Sequence, residues 1–284
     1  MYAKAFKNTM ILATTVSTAS IYAGPISVPF SEDFESFAFG TTPLTVAATP
    51  NAIGSLVANP FDAASTSLQI AMEEAPAAAY LLYGEAPALQ DFTVSVTIQA
   101  QDAGQDIDFG DGEYGITAAG AINASSSPTD LAGNPFLAYT PDSGYKLFVD
   151  TGFNDNTQTL VLRNGATNIA TADVSDLTDF FDQLGFTLTL TGTYQPNGDV
   201  ELVGTLTDLL TDAPGDDDSA LVTVTVLAAD RQLGDEFGFF QFHSDTGNDA
   251  IAAYDNLLID VVPEPGVALL GLAGLGLIAG RRRD

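Results

Sequence analysis

The densest group of residues that could do chemistry is an acidic stretch at residues 102–113. Within it Asp106, Asp108, Asp111 and Glu113 stand among glycines and apolar residues. Calcium takes about six to eight oxygen ligands, often from a loop that contains glycine. We therefore predict these four carboxylates as calcium ligands. Their spacing is not that of an EF-hand, and a solvated acidic loop is the alternative interpretation.

The same stretch also permits a hydrolytic interpretation. Asp106, Asp108 and Asp111 have the spacing of the Glu-x-Asp-x-x-Glu arrangement of jelly-roll glucanases, with Asp in place of both Glu residues. A retaining mechanism needs two carboxyl groups about 5–5.5 Å apart, and aspartate is one methylene shorter than glutamate. The neighbouring glycines favour a loop, and the chain has no Trp to stack on a sugar. We therefore predict that the protein is not an enzyme, with glycosidase activity as a less favoured alternative.

Other catalytic arrangements find little support. His243 is the only histidine, and Ser244 follows it directly. Neighbours on a strand point to opposite faces, so these two cannot form the core of a Ser-His-Asp triad. The sequence has no Gly-x-Ser-x-Gly elbow and no dinucleotide or phosphate-loop fingerprint, and without Cys it has no thiol chemistry. No catalytic residue is predicted.

The body of the chain carries almost no positive charge. The formal net charge is -29, from 37 acidic and 8 basic residues. Between residues 24 and 262 the only cations are Lys146, Arg163 and Arg231. Such a body repels phosphate backbones, which excludes nucleic acid as a partner. Because there is no Cys, stability must come from core burial rather than from disulfides.

The N-terminus has the pattern of a secretory signal peptide. Lys4 and Lys7 precede a modestly apolar run, Met10–Ile21. A small residue at the last position before the cut is typical of signal peptidase sites. We therefore predict a signal peptide over residues 1–23, cleaved after Ala23, with cleavage after Ala19 as the alternative.

The C-terminus has a second targeting pattern, at residues 262–284. Pro263-Glu264-Pro265 precedes the uncharged run Val267–Gly280, and Arg281-Arg282-Arg283 follows it. Two prolines two residues apart cannot lie inside a helix, so a helix can begin only after Pro265. Fourteen helical residues span about 21 Å, short of the roughly 30 Å hydrocarbon core. We predict a short apolar helix over 267–280 that anchors the chain transiently, with the arginines on the cytoplasmic side.

This ordered triple resembles the PEP-CTERM sorting signal. The resemblance covers residues 262–284 and implies cleavage near Pro263-Glu264-Pro265 by an exosortase, an integral-membrane cysteine protease. It also implies release or transfer to the surface of a Gram-negative bacterium that makes extracellular polysaccharide. The resemblance does not specify what the body of the protein does.

The body, residues 24–261, has the pattern of an all-β protein. Segments of strand length that alternate or run apolar are separated by Gly, Asn, Asp and Pro, which predicts strands. These segments are Phe92–Ile98, Gly144–Val149, Thr159–Arg163, Phe186–Thr191, Val200–Leu206, Leu221–Leu227, Phe237–Phe242 and Ala253–Val262. Turns are predicted at Gln195–Asp199 and Asn164-Gly165, and one helix at Asp173–Leu184. The pattern predicts a two-sheet antiparallel jelly-roll sandwich.

The order of these segments resembles the concanavalin A-like, or laminin-G-like, jelly rolls. The similar stretches are Glu32–Glu35, Gly144–Leu147, Val161–Arg163, Phe237–Phe239 and Tyr254–Leu257. The resemblance implies that the first and last strands pair, with the Tyr254 strand beside Phe34. We expect a structural or adhesive protein of the cell surface or extracellular matrix. The alternative is a carbohydrate-binding module for the exopolysaccharide; calcium is the one cofactor considered.

Overall fold

A computed structural model describes residues 30–32, 45–48, 52–58, 66–72, 77–84, 90–100, 112–120, 143–151, 158–174, 185–208, 219–234, 236–243 and 250–262. These residues form strands and connecting turns, and no helix occurs among them that could cross a membrane. The predicted signal peptide and the sorting segment after Val262 lie outside them, so both stay predictions.

The strands form two antiparallel sheets. Sheet A has eight strands in the order β13-β12-β11-β6-β15-β4-β3, with β1 also paired to β15, and sheet B has seven in the order β10-β9-β8-β7-β14-β5-β2. The strands are β1 (Phe30–Glu32), β2 (Thr45–Ala48), β3 (Ala52–Ala58), β4 (Thr66–Met72), β5 (Ala77–Gly84), β6 (Asp91–Ala100), β7 (Gly112–Gly120), β8 (Tyr145–Thr151), β9 (Gln158–Asn164), β10 (Thr167–Asp173), β11 (Gly185–Tyr194), β12 (Val200–Asp208), β13 (Ser219–Val226), β14 (Glu236–His243) and β15 (Ala250–Val262). The predicted two-sheet sandwich is confirmed.

Alternation of side chains places the main core between the sheets. In β11, Phe186, Leu188 and Leu190 are buried, whereas the threonines between them are partly exposed. Successive side chains on a strand point to opposite faces, so one face of β11 joins the core and the other meets solvent. The same holds for β6, where Phe92 stacks on Tyr145 of sheet B with ring centroids 6.2 Å apart.

Sheet B is also buried on its outer face. Phe148, Val161 and Phe240 form a second apolar cluster there, and all three are buried. Gly115 lies opposite this cluster, where an added Cβ would be 2.4 Å from the Cβ of Phe148. The close approach of the Phe148 side chain therefore requires a glycine in β7.

The first and last strands of the sandwich pair, as expected. Phe30 lies opposite Ile259 and Glu32 opposite Leu257. Phe34 lies outside the part of the chain that the structure describes. β15 also pairs with β4 and β6, which puts the last strand inside sheet A rather than at its edge.

All eight segments predicted as strands are strands, and both predicted turns are present. The amide of Gly198 donates to the carbonyl of Gln195 at 2.8 Å, which closes the turn between β11 and β12. The helix predicted at Asp173–Leu184 does not begin at Asp173, because that residue pairs with Thr159 at the end of β10. Residues 175–184 lie outside the described ranges.

Candidate functional site

Of the four predicted calcium ligands, the structure describes Glu113, near the start of β7. Its Oε1 accepts a hydrogen bond from the guanidinium of Arg163 in β9 at 3.1 Å, and the two side chains are only 21% and 22% exposed. Asp106, Asp108 and Asp111 lie outside the described residues, so the calcium prediction remains untested. Within the part that is described, no three His, Asp or Glu side chains group as a metal site would require.

Arg163 is held by three different contacts on the outer face of sheet B. Besides Glu113, its Nε donates to Oδ1 of Asn168 at 2.8 Å. Its guanidinium carbon lies 4.6 Å from the centroid of the Phe148 ring, a distance that permits a cation–π attraction. These contacts are typical of a structural ion pair, and through Phe148 the pair of Arg163 and Glu113 packs against the second apolar cluster.

Burial raises the pKa of Glu113 above its usual 4.5, although Arg163 lowers it, and the charge of Asp150 adds to the rise. Removal from water therefore outweighs the attraction of the guanidinium. The carboxylate is held in a place where its charge is unfavourable, which agrees with a role in packing.

The outer face of sheet A is chemically different from this charged group. Four adjacent strands, β6, β11, β12 and β13, turn hydroxyl side chains outward, and we call this surface the hydroxyl face. It comprises Thr93, Ser95, Thr97, Thr187, Thr189, Thr191, Thr193, Thr205, Thr207, Ser219, Thr223 and Thr225, all partly or fully exposed.

The hydroxyl face is regular because the register of its four strands is uninterrupted. One row across the sheet is Thr97, Thr187, Thr207 and Ser219, each opposite the next. Rows repeat along each strand every second residue, about 6.6–6.8 Å, and strands lie about 4.8 Å apart. The side chains therefore form a two-dimensional array.

Hydrogen bonds hold the hydroxyl groups of the neighbouring strands β6 and β11 in place. Side-chain oxygens are 3.4 Å apart between Thr93 and Thr191, and 3.1 Å apart between Ser95 and Thr189. The pair formed by Thr97 and Thr187 has a separation of 3.3 Å. A hydroxyl has one donor and two acceptor positions, so each pair retains one O–H and several acceptor positions for another molecule.

Charge is absent from the middle of the hydroxyl face. Among the described residues of its four strands that point outward, the charged side chains are Asp91 at one end of β6 and Glu201 near the same end of β12, and Asp260 of the neighbouring β15 lies opposite Thr93. The cations lie elsewhere: Lys146 and Arg163 are in sheet B, and Arg231 donates to the carbonyl of Gly198 at 3.2 Å. The middle rows of this face are therefore uncharged, in a chain of net charge -29.

No protein-family model matches the sequence, and no curated protein is significantly similar to it. Solved structures are similar in fold. Peanut lectin with a nine-residue peptide has a TM-score of 0.51 at 13% identity, over 84% of this chain and 100% of the lectin. A seed lectin of Lotus tetragonolobus has a TM-score of 0.50 at 11% identity, over 84% and 100% of the two chains. At these identities the likeness shows the fold alone: the chain has the two-sheet jelly roll of the legume lectins.

Proposed function

We propose that the protein is an exported, lectin-like module that binds a neutral polysaccharide at the cell surface through the hydroxyl face. The observation that carries the proposal is the ordered, uncharged array of hydroxyl groups on a solvent-facing sheet. Sugar hydroxyls exchange hydrogen bonds with side-chain hydroxyls, and threonine methyl groups can contact the apolar faces of sugar rings.

The charge of the protein narrows the class of ligand. In a chain with 37 acidic residues, a body whose only cations are Lys146, Arg163 and Arg231 repels acidic glycans. Salt screens charges more than about 8 Å apart but does not remove repulsion at contact. The hydroxyl face offers no described Lys or Arg that would hold a uronate. A neutral glycan is therefore the ligand class that this surface favours.

The predicted targeting segments support the cellular setting of this proposal. Removal of residues 1–23 by signal peptidase and processing near Pro263-Glu264-Pro265 by an exosortase would bring the body to the cell surface. Extracellular polysaccharide is then the ligand within reach. Residues 267–280 and the arginines at 281–283 hold the chain in the inner membrane until it is processed.

The binding proposal is tested by retention of the full chain on immobilised polysaccharides. We expect retention on one or more neutral glucans, galactans or mannans, and none on alginate. The double variant Ser95→Ala, Thr189→Val removes the central hydroxyl pair and keeps the surface shape. Loss of the hydrogen bonds to a ligand should weaken binding roughly tenfold.

The matched control is Thr167→Val, an exposed threonine at the start of β10 in sheet B. It should bind as the wild type does. Absence of retention on every neutral glycan, or equal retention of the double variant, would refute the proposal. A hydrolysis assay on the same glycans examines the glycosidase alternative: a measurable rate that falls in Asp108→Asn would favour an enzyme.

The sorting proposal has its own experiment. Replacement of Glu264 by Ala should retain the chain in the membrane fraction and reduce the surface fraction, because the processing motif is altered. Replacement of Arg281, Arg282 and Arg283 by Ala should impair anchoring before processing. Unchanged fractions in both variants would count against exosortase sorting without bearing on glycan binding.

A further inference from the structure

β13 is an edge strand of sheet A and lacks the usual protection of such strands. It has eight residues, Ser219–Val226, with no charge and no proline. All eight pair with β12 without a register shift, and the sheet order places no described strand on the other side. An edge of this kind presents backbone N–H and C=O groups that can pair with another chain.

The two edge strands of sheet B differ from β13. β10 has a register shift between Asn168 and Ala170 and ends on a charged residue, Asp173. β2 has only four residues. Bulges, charges and short length are the features by which natural sheets block edge-to-edge pairing. Both edges of sheet B have such a feature, whereas among the described residues β13 has none, and neither does β3 at the other edge of sheet A. Among the side chains that the structure describes, exposed leucines distinguish β13.

Two exposed leucines lie on or directly after β13. Four large apolar residues are exposed in the part of the chain that the structure describes. Leu221, in β13, is 62% exposed, and Leu227, directly after the strand, is 59% exposed. Leu233, at 58%, follows beside Gly234, whose amide donates to the carbonyl of Ala119 in β7, and Leu258 in β15 is 39% exposed. Exposed leucines on an edge strand can contact a partner.

We propose that β13 docks against β13 of a second copy of this chain. The two strands pair antiparallel across a two-fold axis, so that sheet A continues from one copy into the other. With the axis at Val222, Leu221 of one copy lies opposite Thr223 of the other, and both point to the outer face. Such an interface is self-complementary and closes after two copies.

Charge favours a second copy in this orientation. The body is strongly acidic, but residues 219–227 carry no charge, so two copies can approach there with least repulsion. Asp216, Asp217 and Asp218 directly precede Ser219 in the sequence. Antiparallel pairing separates the two aspartate triplets by the length of the strand, whereas parallel pairing brings them together. The repulsion that remains should be relieved by salt.

The dimer also extends the proposed function, on which this one consequence rests. β13 borders the hydroxyl face, so pairing joins two such faces into one continuous surface. A polysaccharide long enough to contact both would bind more tightly than to one copy, because the second contact is intramolecular.

The dimer is tested by sedimentation velocity on the full chain, kept in a mild detergent because of its apolar ends. We expect a dimer at micromolar concentration, favoured by raising the salt concentration. Leu221→Lys should weaken the dimer by roughly tenfold or more, because a lysine on an open edge opposes strand pairing. Leu258→Lys, on the same face but inside the sheet, is the matched control and should remain dimeric.

A second measurement uses the absence of cysteine from the chain. A mixture of Leu221→Cys and Thr223→Cys should cross-link under oxidation more than either variant alone, because antiparallel pairing about Val222 brings position 221 of one copy opposite position 223 of the other at disulfide distance. Equal cross-linking of the mixture and of each variant alone would refute the antiparallel arrangement. A monomeric wild type at high salt, or an unchanged Leu221→Lys dimer, would overturn the proposal. Neither result decides whether a single copy binds a glycan, which is scored separately on the immobilised glycans.

Discussion

The contact between Gly192 of β11 and Phe92 of β6 gives the sharpest test of the packing in the core. A Cβ added at Gly192 would lie 2.3 Å from two ring carbons of Phe92. The ring is 2% exposed and is flanked by Tyr145 at 6.2 Å and Phe237 at 5.6 Å, so it has little room to move. Carbon atoms in favourable contact are about 3.5–4.0 Å apart, so Gly192→Ala would force the ring to shift by more than about 1 Å.

Two opposing effects set how much Gly192→Ala changes the free energy of unfolding. Overpacking of a core costs about 1–3 kcal/mol. Replacing a strand glycine by alanine recovers about 0.5–1 kcal/mol of chain entropy. We expect Gly192→Ala to lower the free energy of unfolding by about 1–2 kcal/mol. In a Phe92→Leu background the obstructing ring is gone, so the same substitution should be neutral or slightly stabilising, a coupling of about 1–3 kcal/mol.

The assay is urea denaturation of the full chain, followed by circular dichroism, for the two single variants and the double variant. Phe240→Leu is the control, because Phe240 lies in the second apolar cluster with Phe148 and Val161, away from Phe92. Combined with Gly192→Ala, it should be additive within about 0.5 kcal/mol. If Gly192→Ala is equally destabilising with Phe92 or Leu at position 92, the steric reasoning is wrong.

Four further predictions concern titratable groups and ions. Burial raises the pKa of Glu113, so the native state keeps the proton of this carboxyl group to higher pH than the unfolded state does. The free energy of unfolding should therefore fall as pH rises through that pKa. In Glu113→Gln, urea denaturation between pH 4 and pH 7 should show a smaller fall in the free energy of unfolding. Arg163→Ala leaves the partly buried Glu113 without its guanidinium partner. Urea denaturation at neutral pH should show a free energy of unfolding lower by about 1–2 kcal/mol. An unchanged free energy of unfolding would mean that the ion pair does not contribute to stability. Burial raises the pKa of Tyr114 and of Tyr254 above the usual 10. The free energy of unfolding should therefore fall as pH rises above about 10, and the tyrosinate absorbance of these two residues should appear together with unfolding. Ionisation of all the tyrosines while the chain remains folded would contradict this. If residues 102–113 bind calcium, the melting temperature should be higher in calcium than in chelator, and equal melts in millimolar calcium would count against the site.

The strands that could be predicted from sequence are those that alternate, with one face in the core and one in solvent, and those such as β8, β9 and β14 that are buried on both faces but rich in large apolar residues. β11 and β12 alternate because the core takes every second side chain, and that period is visible in the letters. β7 was not predicted, because it is buried on both faces and consists mostly of glycine and alanine: Ile116 packs in the main core, while Gly115 lies under Phe148. A strand buried on both faces does not alternate, and its glycines and alanines resemble a loop.

Local patterns reveal the candidate residues but not their partners. The acid density around Glu113 suggested an ion site, whereas its partner Arg163 is 50 residues away and meets it through the order β7-β8-β9. The alternating threonines of β11 are likewise visible in the sequence. That they continue into β6, some ninety residues earlier, follows only from the pairing of Thr187 with Thr97 and its neighbours.

The central position of β15 has a mechanical consequence. A tether near Val262, as we propose for the chain before processing, would pull on a strand that pairs with β6 over nine residues and also with β4 and β1. Force along that strand loads the hydrogen bonds of several neighbours at once, in shear, instead of unzipping them one by one as at an edge. A body held in this way should resist drag on a bound polymer better than one that is tethered through a peripheral strand.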